Sequence, residues 1–160
     1  MSTTFDAEVR ALAAIDHPNV VPIHDHGRDG DRRWVTMGRA ATSLAEVPPS
    51  SWHEVRDAAR SVLAALAHLH ARGLTHRDVK PSNVLRTQAG VIWLADLGLA
   101  ADASGTGTAG TPAYMSPESS RGVPAAASDL YALGCTVWAW VCGTPTRTTT
   151  RPPRPTSATS

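Results

Sequence analysis

The chain has 160 residues, a length that suits one compact domain with a hydrophobic core. Its formal net charge of +1 gives no indication of binding to nucleic acid or to an anionic membrane surface. The first ten residues lack the basic and apolar regions of a secretory signal, and the longest apolar run is short for a membrane span. We therefore expect a cytoplasmic protein with no membrane segment and no nucleic-acid partner.

The first part of the chain predicts one short helix and one hairpin. Residues 5–15 carry apolar side chains at helical spacing, and Pro18 ends that helix. Two strand-like runs, at 20–27 and 32–37, flank the turn-rich sequence RDGD. We expect these two runs to pair as an antiparallel hairpin.

A long amphipathic helix is the clearest predicted element. Ser51 and Glu54 match a capping box at its start, and Gly73 fits a C-terminal stop. The apolar positions that follow the helical period, and are expected to face the core, are Val55, Ala59, Val62, Leu66 and Leu69.

The second part of the chain predicts another hairpin and a second helix. The runs VLRT (84–87) and VIWLAD (91–96) flank the short turn QAG, which favours a tight hairpin. Residues 98–123 are rich in Gly, Thr, Ser and Pro and are expected to form a loop. The helix from Asp129 is apolar nearly all round, so we expect it to be buried, with its tryptophans in the core.

The sequence HRDVKPSN (76–83) has side chains suited to phosphoryl transfer, which needs a positioned hydroxyl, metal ions and charge stabilisation. Asp78 could orient a substrate hydroxyl and accept its proton. Lys80, the only lysine in the chain, could neutralise the transferred group. Asn83 and Asp96 could supply oxygen ligands to Mg²⁺, because the second hairpin would bring them side by side.

Four motifs in order make the chain resemble the eukaryotic-like protein kinases. HRDVKPSN matches their catalytic loop in its serine/threonine-kinase form, and DLG at 96–98 resembles their DFG metal motif. GTPAYMSPE at 110–118 resembles their substrate-positioning loop and APE motif, with Ser116 in place of Ala. SDLYALGC at 128–135 resembles the start of their central helix.

The resemblance implies an α+β, protein-kinase-like fold that is incomplete. It would comprise helix C and the end of the N-lobe, followed by the first part of the helical C-lobe. The expected domain is 1–142, divided into an N-lobe remnant at 1–39 and a C-lobe part at 40–142. Residues 143–160, rich in Thr, Pro and Arg, are expected to be a disordered tail.

The resemblance also implies roles for single residues. The residues implied in ATP binding are Glu8, Met37, Leu85 and Asp96. Those implied to support the site are His76, Arg77, Leu97, Gly98, Thr111, Glu118 and Asp129, where Asp129 would anchor the catalytic-loop backbone. Leu12, Ile23, His76 and Leu97 would form an apolar column, and Ser104, Thr106 and Thr108 are candidate activation-loop phosphorylation sites.

The resemblance therefore implies an ATP- and Mg²⁺-dependent serine/threonine protein kinase. The glycine-rich loop and a second phosphate-binding lysine of that family have no counterpart in the 160 residues, so we expect weak activity or none. The alternatives are a pseudokinase-like remnant that binds a protein, such as a partner kinase or a second copy in a dimer, and a truncated gene product without function.

Overall fold

A computed structural model describes residues 13–30, 32–97, 110–121 and 126–143. It confirms an α+β fold, built from two small antiparallel sheets and two helices. Several predictions lie outside the described residues: most of the helix at 5–15 with Glu8 and Leu12, then Gly98, Ser104, Thr106 and Thr108, and all of the tail beyond residue 143. Among the described residues, no helix combines the length and the apolar character needed to cross a membrane.

The first hairpin is confirmed. Strand β1 (Ile23–Asp29) pairs antiparallel with β2 (Arg32–Met37), and Gly30 in the turn has a φ of +57°. The strand begins at Ile23 rather than at Val20, because Val20 forms a parallel bridge to Leu94 in the other sheet. The first predicted strand therefore divides its residues between two sheets.

The second sheet has the order β3–β4–β5, from Thr42–Ser43, Val84–Arg86 and Ile92–Leu94. Its β4–β5 pair is the predicted second hairpin, with Val84 opposite Leu94 and Gly90 at a φ of +81° in the turn. This tight connection places the residue that precedes β4 beside the residues that follow β5, which fixes the geometry of the site described below.

Helix α1 (Trp52–His70) begins and ends where the sequence predicts. The Ser51 hydroxyl oxygen accepts a hydrogen bond of 3.3 Å from the Glu54 N–H, which is one half of a capping box. The Glu54 carboxylate accepts from the Ser50 N–H at 2.9 Å, one residue earlier than the motif requires. At the other end, Gly73 has a φ of +72°, and Leu74 N–H donates to the Leu69 carbonyl at 3.1 Å, which closes a Schellman turn.

The buried face of α1 differs from the prediction at one position. Ala58 is buried and Ala59 is half-buried, so the prediction of Ala59 was wrong by one residue. The core that this face joins also includes residues from the second hairpin and from the second helix, among them Val84, Leu94 and Leu133, and Ile23 of the first hairpin packs against it. The two helices and the second hairpin thus share one hydrophobic core.

Helix α2 (Ala126–Cys142) begins three residues before the predicted start at Asp129. The expectation that it is buried all round was wrong, because one side is exposed. Trp140 is buried, whereas Trp138 is 52% exposed. Three short 3₁₀ turns complete the described structure, at Pro81–Asn83, Pro112–Tyr114 and Ser119–Arg121.

Candidate active site

The loop at residues 76–83, called the catalytic loop for its resemblance to that of the protein kinases, is held to the first turn of α2 by one buried carboxylate. Asp129 is 1% exposed, and its two oxygens accept the backbone N–H groups of His76 and Arg77, each at 2.8 Å. Arg77 has a φ of +69°, a left-handed conformation that is unfavourable for a residue with a side chain. These two hydrogen bonds hold the loop in that strained conformation and so direct the next residue, Asp78.

His76 lies fully buried between the catalytic loop and the second hairpin. Its Nδ1 accepts the Asp78 N–H at 3.2 Å, which leaves the proton on Nε2, and Nε2 lies 2.8 Å from the Ala95 carbonyl oxygen. Burial lowers the pKa of His76, although the Ala95 carbonyl and the nearby carboxylates act in the opposite direction. The neutral ring is therefore the form that satisfies both hydrogen bonds.

Four donors converge on the Asp78 carboxylate. Oδ1 accepts the N–H and the hydroxyl of Thr111, both at 2.9 Å. Oδ2 accepts Lys80 Nζ at 2.6 Å and Asn83 Nδ2 at 3.1 Å. Lys80 Nζ also donates to the Thr111 hydroxyl at 2.8 Å, so a lysine, a threonine and an aspartate form a closed triangle. The predicted residues Asp78, Lys80, Asn83 and Thr111 thus come together at one point.

The protonation of Asp78 follows from these contacts. Partial burial acts to raise the pKa of Asp78, but the hydrogen bonds from Lys80 and Thr111 and the lysine charge outweigh it and leave the pKa below its usual value. A carboxylate of low pKa stays ionised at neutral pH and is a weak base. It is therefore better suited to orienting a hydroxyl group than to storing its proton.

Asn83 precedes β4 and Asp96 follows β5, so both lie at the open end of this hairpin, where a backbone hydrogen bond links the two strands. Ala95 N–H donates to the Asn83 carbonyl at 2.9 Å, and Asp96 follows directly, with an exposed side chain and a φ of +59°. The Asn83 amide nitrogen donates to the Asp78 backbone carbonyl at 2.8 Å as well as to its carboxylate. Amide and carboxylate oxygens, which Asn83 and Asp96 carry, are the ligand type that Mg²⁺ prefers.

The described residues implied in adenine binding and in the apolar column lie on several elements. Met37 ends β2 and is 40% exposed, and Leu85 lies in β4, half-buried, opposite Trp93. Leu97 is buried in the hydrophobic core, and Ile23 packs against that core. The structure describes neither Glu8 nor Leu12, so the ATP-binding role of Glu8 and the complete column stay predictions.

Glu118, the acidic residue of the APE-like motif, accepts a hydrogen bond from a residue outside that motif. Its Oε1 accepts the Ser128 hydroxyl at 3.1 Å, and Ser128 lies in the first turn of α2. The sequence offered no signal for this contact, because serine next to Asp129 is an ordinary helix residue.

His70 is a second participant that the sequence did not indicate. It lies in the last turn of α1, and its Nε2 is 2.7 Å from Asp129 Oδ2. The two residues are 59 positions apart, so no local pattern could relate them. His70 gives Asp129 a third hydrogen bond and connects both helices to the catalytic loop.

Comparison with known proteins agrees with this geometry. The sequence model of the family described as "Protein kinase domain" matches residues 1–154, past the predicted domain end at 142. The DNA damage-responsive serine/threonine-protein kinase RqkA of Deinococcus radiodurans is 40% identical over 88% of the chain. Serine/threonine-protein kinase PknL of Mycobacterium tuberculosis is 39% identical over 88%, and serine/threonine-protein kinase PrkC of Bacillus subtilis is 32% identical over 87%.

The chain covers only part of each of these relatives. It spans 24% of RqkA, 38% of PknL and 23% of PrkC. The match nevertheless includes the catalytic loop, the metal-motif aspartate, the 110–118 segment and the start of α2. The chain belongs to the protein kinase domain family.

Proposed function

We propose that the chain carries the catalytic-loop part of a serine/threonine protein kinase, which transfers the γ-phosphate of ATP to a protein hydroxyl. The observation that carries the proposal is the convergence of Lys80, Thr111 and Asn83 on the Asp78 carboxylate. A fixed, ionised carboxylate beside a lysine can orient a hydroxyl and offset the charge of a phosphoryl group. The expected cytoplasmic location and a protein substrate belong to the same proposal.

Each residue has one task under this proposal. A substrate hydroxyl would replace the Thr111 hydroxyl, or lie beside it, as a donor to Asp78. Lys80 Nζ, 2.6 Å from Asp78, would lie close to the incoming phosphoryl oxygens. Asn83 and Asp96 would hold Mg²⁺, which neutralises phosphate charge when bound, with phosphate oxygens and water as the further ligands.

We expect the rate of phosphate transfer from ATP to be low. Lys80 is the only lysine in the 160 residues, so the phosphates nearer the adenosine have no lysine from this chain. Correct orientation can supply about 7–11 kcal/mol of a barrier, so loosely held phosphates make transfer slow.

The test is transfer of radiolabelled phosphate from ATP to a basic protein with Mg²⁺, comparing the chain with D78N. Asp57→Asn is the matched control, because Asp57 is an exposed carboxylate on α1 that forms an ion pair with its neighbour Arg56. We expect slow transfer that D57N keeps and D78N loses. Equal signals from the wild type and D78N would refute catalysis by this chain.

A second candidate function is protein binding through the exposed side of α2. Leu130, Trp138 and Val141 are 48%, 52% and 59% exposed and lie within one quarter of the helix circumference. Apolar patches of this kind mark interaction sites, and a second copy of the chain is the occupant that we test. Sedimentation should show a dimer that Trp138→Glu converts to a monomer; a monomeric wild type at high concentration would exclude this occupant.

A further inference from the structure

A series of consecutive hydrogen bonds links the end of the 110–121 segment to α2. Ser119 N–H donates to the Ser116 hydroxyl at 3.2 Å, and that hydroxyl donates to the Ser128 hydroxyl at 3.0 Å. The Ser128 hydroxyl donates in turn to the Glu118 carboxylate at 3.1 Å. We call these four groups the hydroxyl relay. The relay starts at Ser119 and ends at Glu118, which are adjacent in the segment, and it passes through Ser128 of α2.

Burial of its hydroxyls and the charge of its carboxylate both strengthen the hydrogen bonds of the relay. Ser116 is 1% exposed and Ser128 is 8% exposed, so water does not compete freely for their hydroxyls. The relay ends on a carboxylate, and hydrogen bonds to charged groups are stronger than those between neutral groups. The backbone N–H of Glu118 and the hydroxyls of Ser116 and Ser128 hold the pKa of Glu118 below its usual value, so the carboxylate stays ionised at neutral pH.

The relay is one of two points that fix the segment relative to the catalytic loop. At the other point, Thr111 bonds to the Asp78 carboxylate. Ser128 and Asp129 are consecutive residues of α2, and Ser128 holds the segment while Asp129 holds the catalytic loop. One turn of helix therefore sets the distance between the segment and Asp78.

Ser116 makes this arrangement specific to the sequence in hand. The APE motif that residues 116–118 resemble has alanine at the first position, and alanine has no hydroxyl to donate. With alanine there, the Ser119 N–H and the Ser128 hydroxyl oxygen would each lose a partner. Of the two serine hydroxyls that lower the pKa of Glu118, only that of Ser128 would then remain.

We propose that Ser128 is a positioning residue for the protein substrate, acting through Glu118 and Ser116 on the 110–121 segment. The proposal rests on the proposed function, because the segment matters for substrate only if the site takes a protein hydroxyl. Ser128 touches no reacting group. It sets where the surface that would receive the peptide lies relative to Asp78.

Amide hydrogen exchange on the whole chain tests the first step. Ser128→Ala should raise exchange at 116–121 about tenfold, which corresponds to about 1.4 kcal/mol, and leave the catalytic loop at 76–83 unchanged. Ser128→Thr keeps a hydroxyl and should restore slow exchange. Thr136→Val is the matched control, because it removes from the same helix a buried hydroxyl that donates to the Ala132 carbonyl within α2.

Binding of a fluorescein-labelled basic serine peptide, measured by anisotropy, tests the second step without needing turnover. We expect S128A to raise the peptide Kd about fivefold and T136V to leave it unchanged. Equal exchange at 116–121 in S128A and T136V, or equal peptide Kd in these variants, would overturn the proposal, as would a wild type that does not bind the peptide. Loss of phosphate transfer with intact peptide binding would count against the proposed function and leave the positioning role in place.

Discussion

Replacing Asp129 by asparagine tests how much the fold depends on one buried carboxylate. The two oxygens of Asp129 accept three donors: the N–H groups of His76 and Arg77 at 2.8 Å each, and His70 Nε2 at 2.7 Å. Asparagine turns one of these oxygens into an NH₂ group, which is a donor. In either orientation of the amide, at least one backbone N–H of the catalytic loop then faces another donor.

The expected loss of stability follows from the number of donors that lose their acceptor. A buried donor left without an acceptor costs about 1–3 kcal/mol, so we expect D129N to lower the free energy of unfolding by that amount. For a urea m-value of about 2 kcal/mol/M, the midpoint of unfolding would fall by roughly 0.5–1.5 M. Native domains have only about 5–15 kcal/mol of stability, so the variant should still fold in buffer.

The assay is urea unfolding followed by tryptophan fluorescence and circular dichroism, with amide exchange at Arg77 as a local readout. Asp57→Asn makes the same chemical change at a side chain that is 62% exposed, and should shift stability by no more than about 0.5 kcal/mol. If D129N and D57N unfold at the same midpoint, the three hydrogen bonds do not stabilise the loop as argued.

Three further predictions concern pH, glycine and helix capping. The unfolded chain binds a proton at His76 near pH 6.5 and the folded chain resists it, because burial lowers the folded pKa. The contribution of His76 to the free energy of unfolding should therefore be fully present above about pH 6.5 and fall by up to about 1.4 kcal/mol per pH unit below it. Urea midpoints from pH 5 to 8 should show a smaller slope in His76→Phe than in the wild type, and equal slopes would contradict the argument. Gly134→Ala should raise the melting temperature, with a gain of about 1 kcal/mol, because an added Cβ meets nothing within 4 Å inside α2. Gly110→Ala should lower it, because φ is +123° there and the Cβ would lie 2.9 Å from a catalytic-loop carbonyl; equal melting of the two variants would contradict both arguments. Ser51→Ala should lose about 1 kcal/mol in urea unfolding by removing the N-cap acceptor of α1, and an unchanged midpoint would show that the cap is dispensable.

The parts of the fold that the sequence predicted are those set by local chemistry. The turn RDGD and the turn QAG join runs of strand-forming residues, and both became hairpins. Ser51 capped α1 because its hydroxyl needs only an N–H three residues away. The error at Ala59 has a simple cause: Ala58 and Ala59 both lie near the core stripe, and alanine is too small to distinguish them.

The face of α2 could not be predicted in the same way. Its residues are apolar almost throughout, so the pattern does not indicate which side meets the core. Trp138 and Trp140 differ by about 200° around the helix, and packing against α1 buried one and left the other exposed. Only the tertiary arrangement decides between them.

The site was predictable where a motif carries it and not where distant residues complete it. Asp78, Lys80 and Asn83 lie within six positions, and both Lys80 and Asn83 donate to the Asp78 carboxylate in the structure. The contacts of Asp129 with His70 and of Ser128 with Glu118 join side chains that only the folded chain brings together. The catalytic and metal-binding roles of these residues stay predictions until transfer is measured.

The three-stranded sheet, β3–β4–β5, is poorly suited to pairing with strands from other molecules. On one side it ends in β3, which is only two residues long. On the other side Asn19 and Val21 already occupy the backbone of Leu94, with hydrogen bonds of 2.8 and 3.0 Å. Pro18 and Pro22, which flank that stretch, have no N–H to offer an incoming strand. Short or proline-flanked edges discourage the addition of strands, so we expect the three-stranded sheet not to extend from one molecule into another.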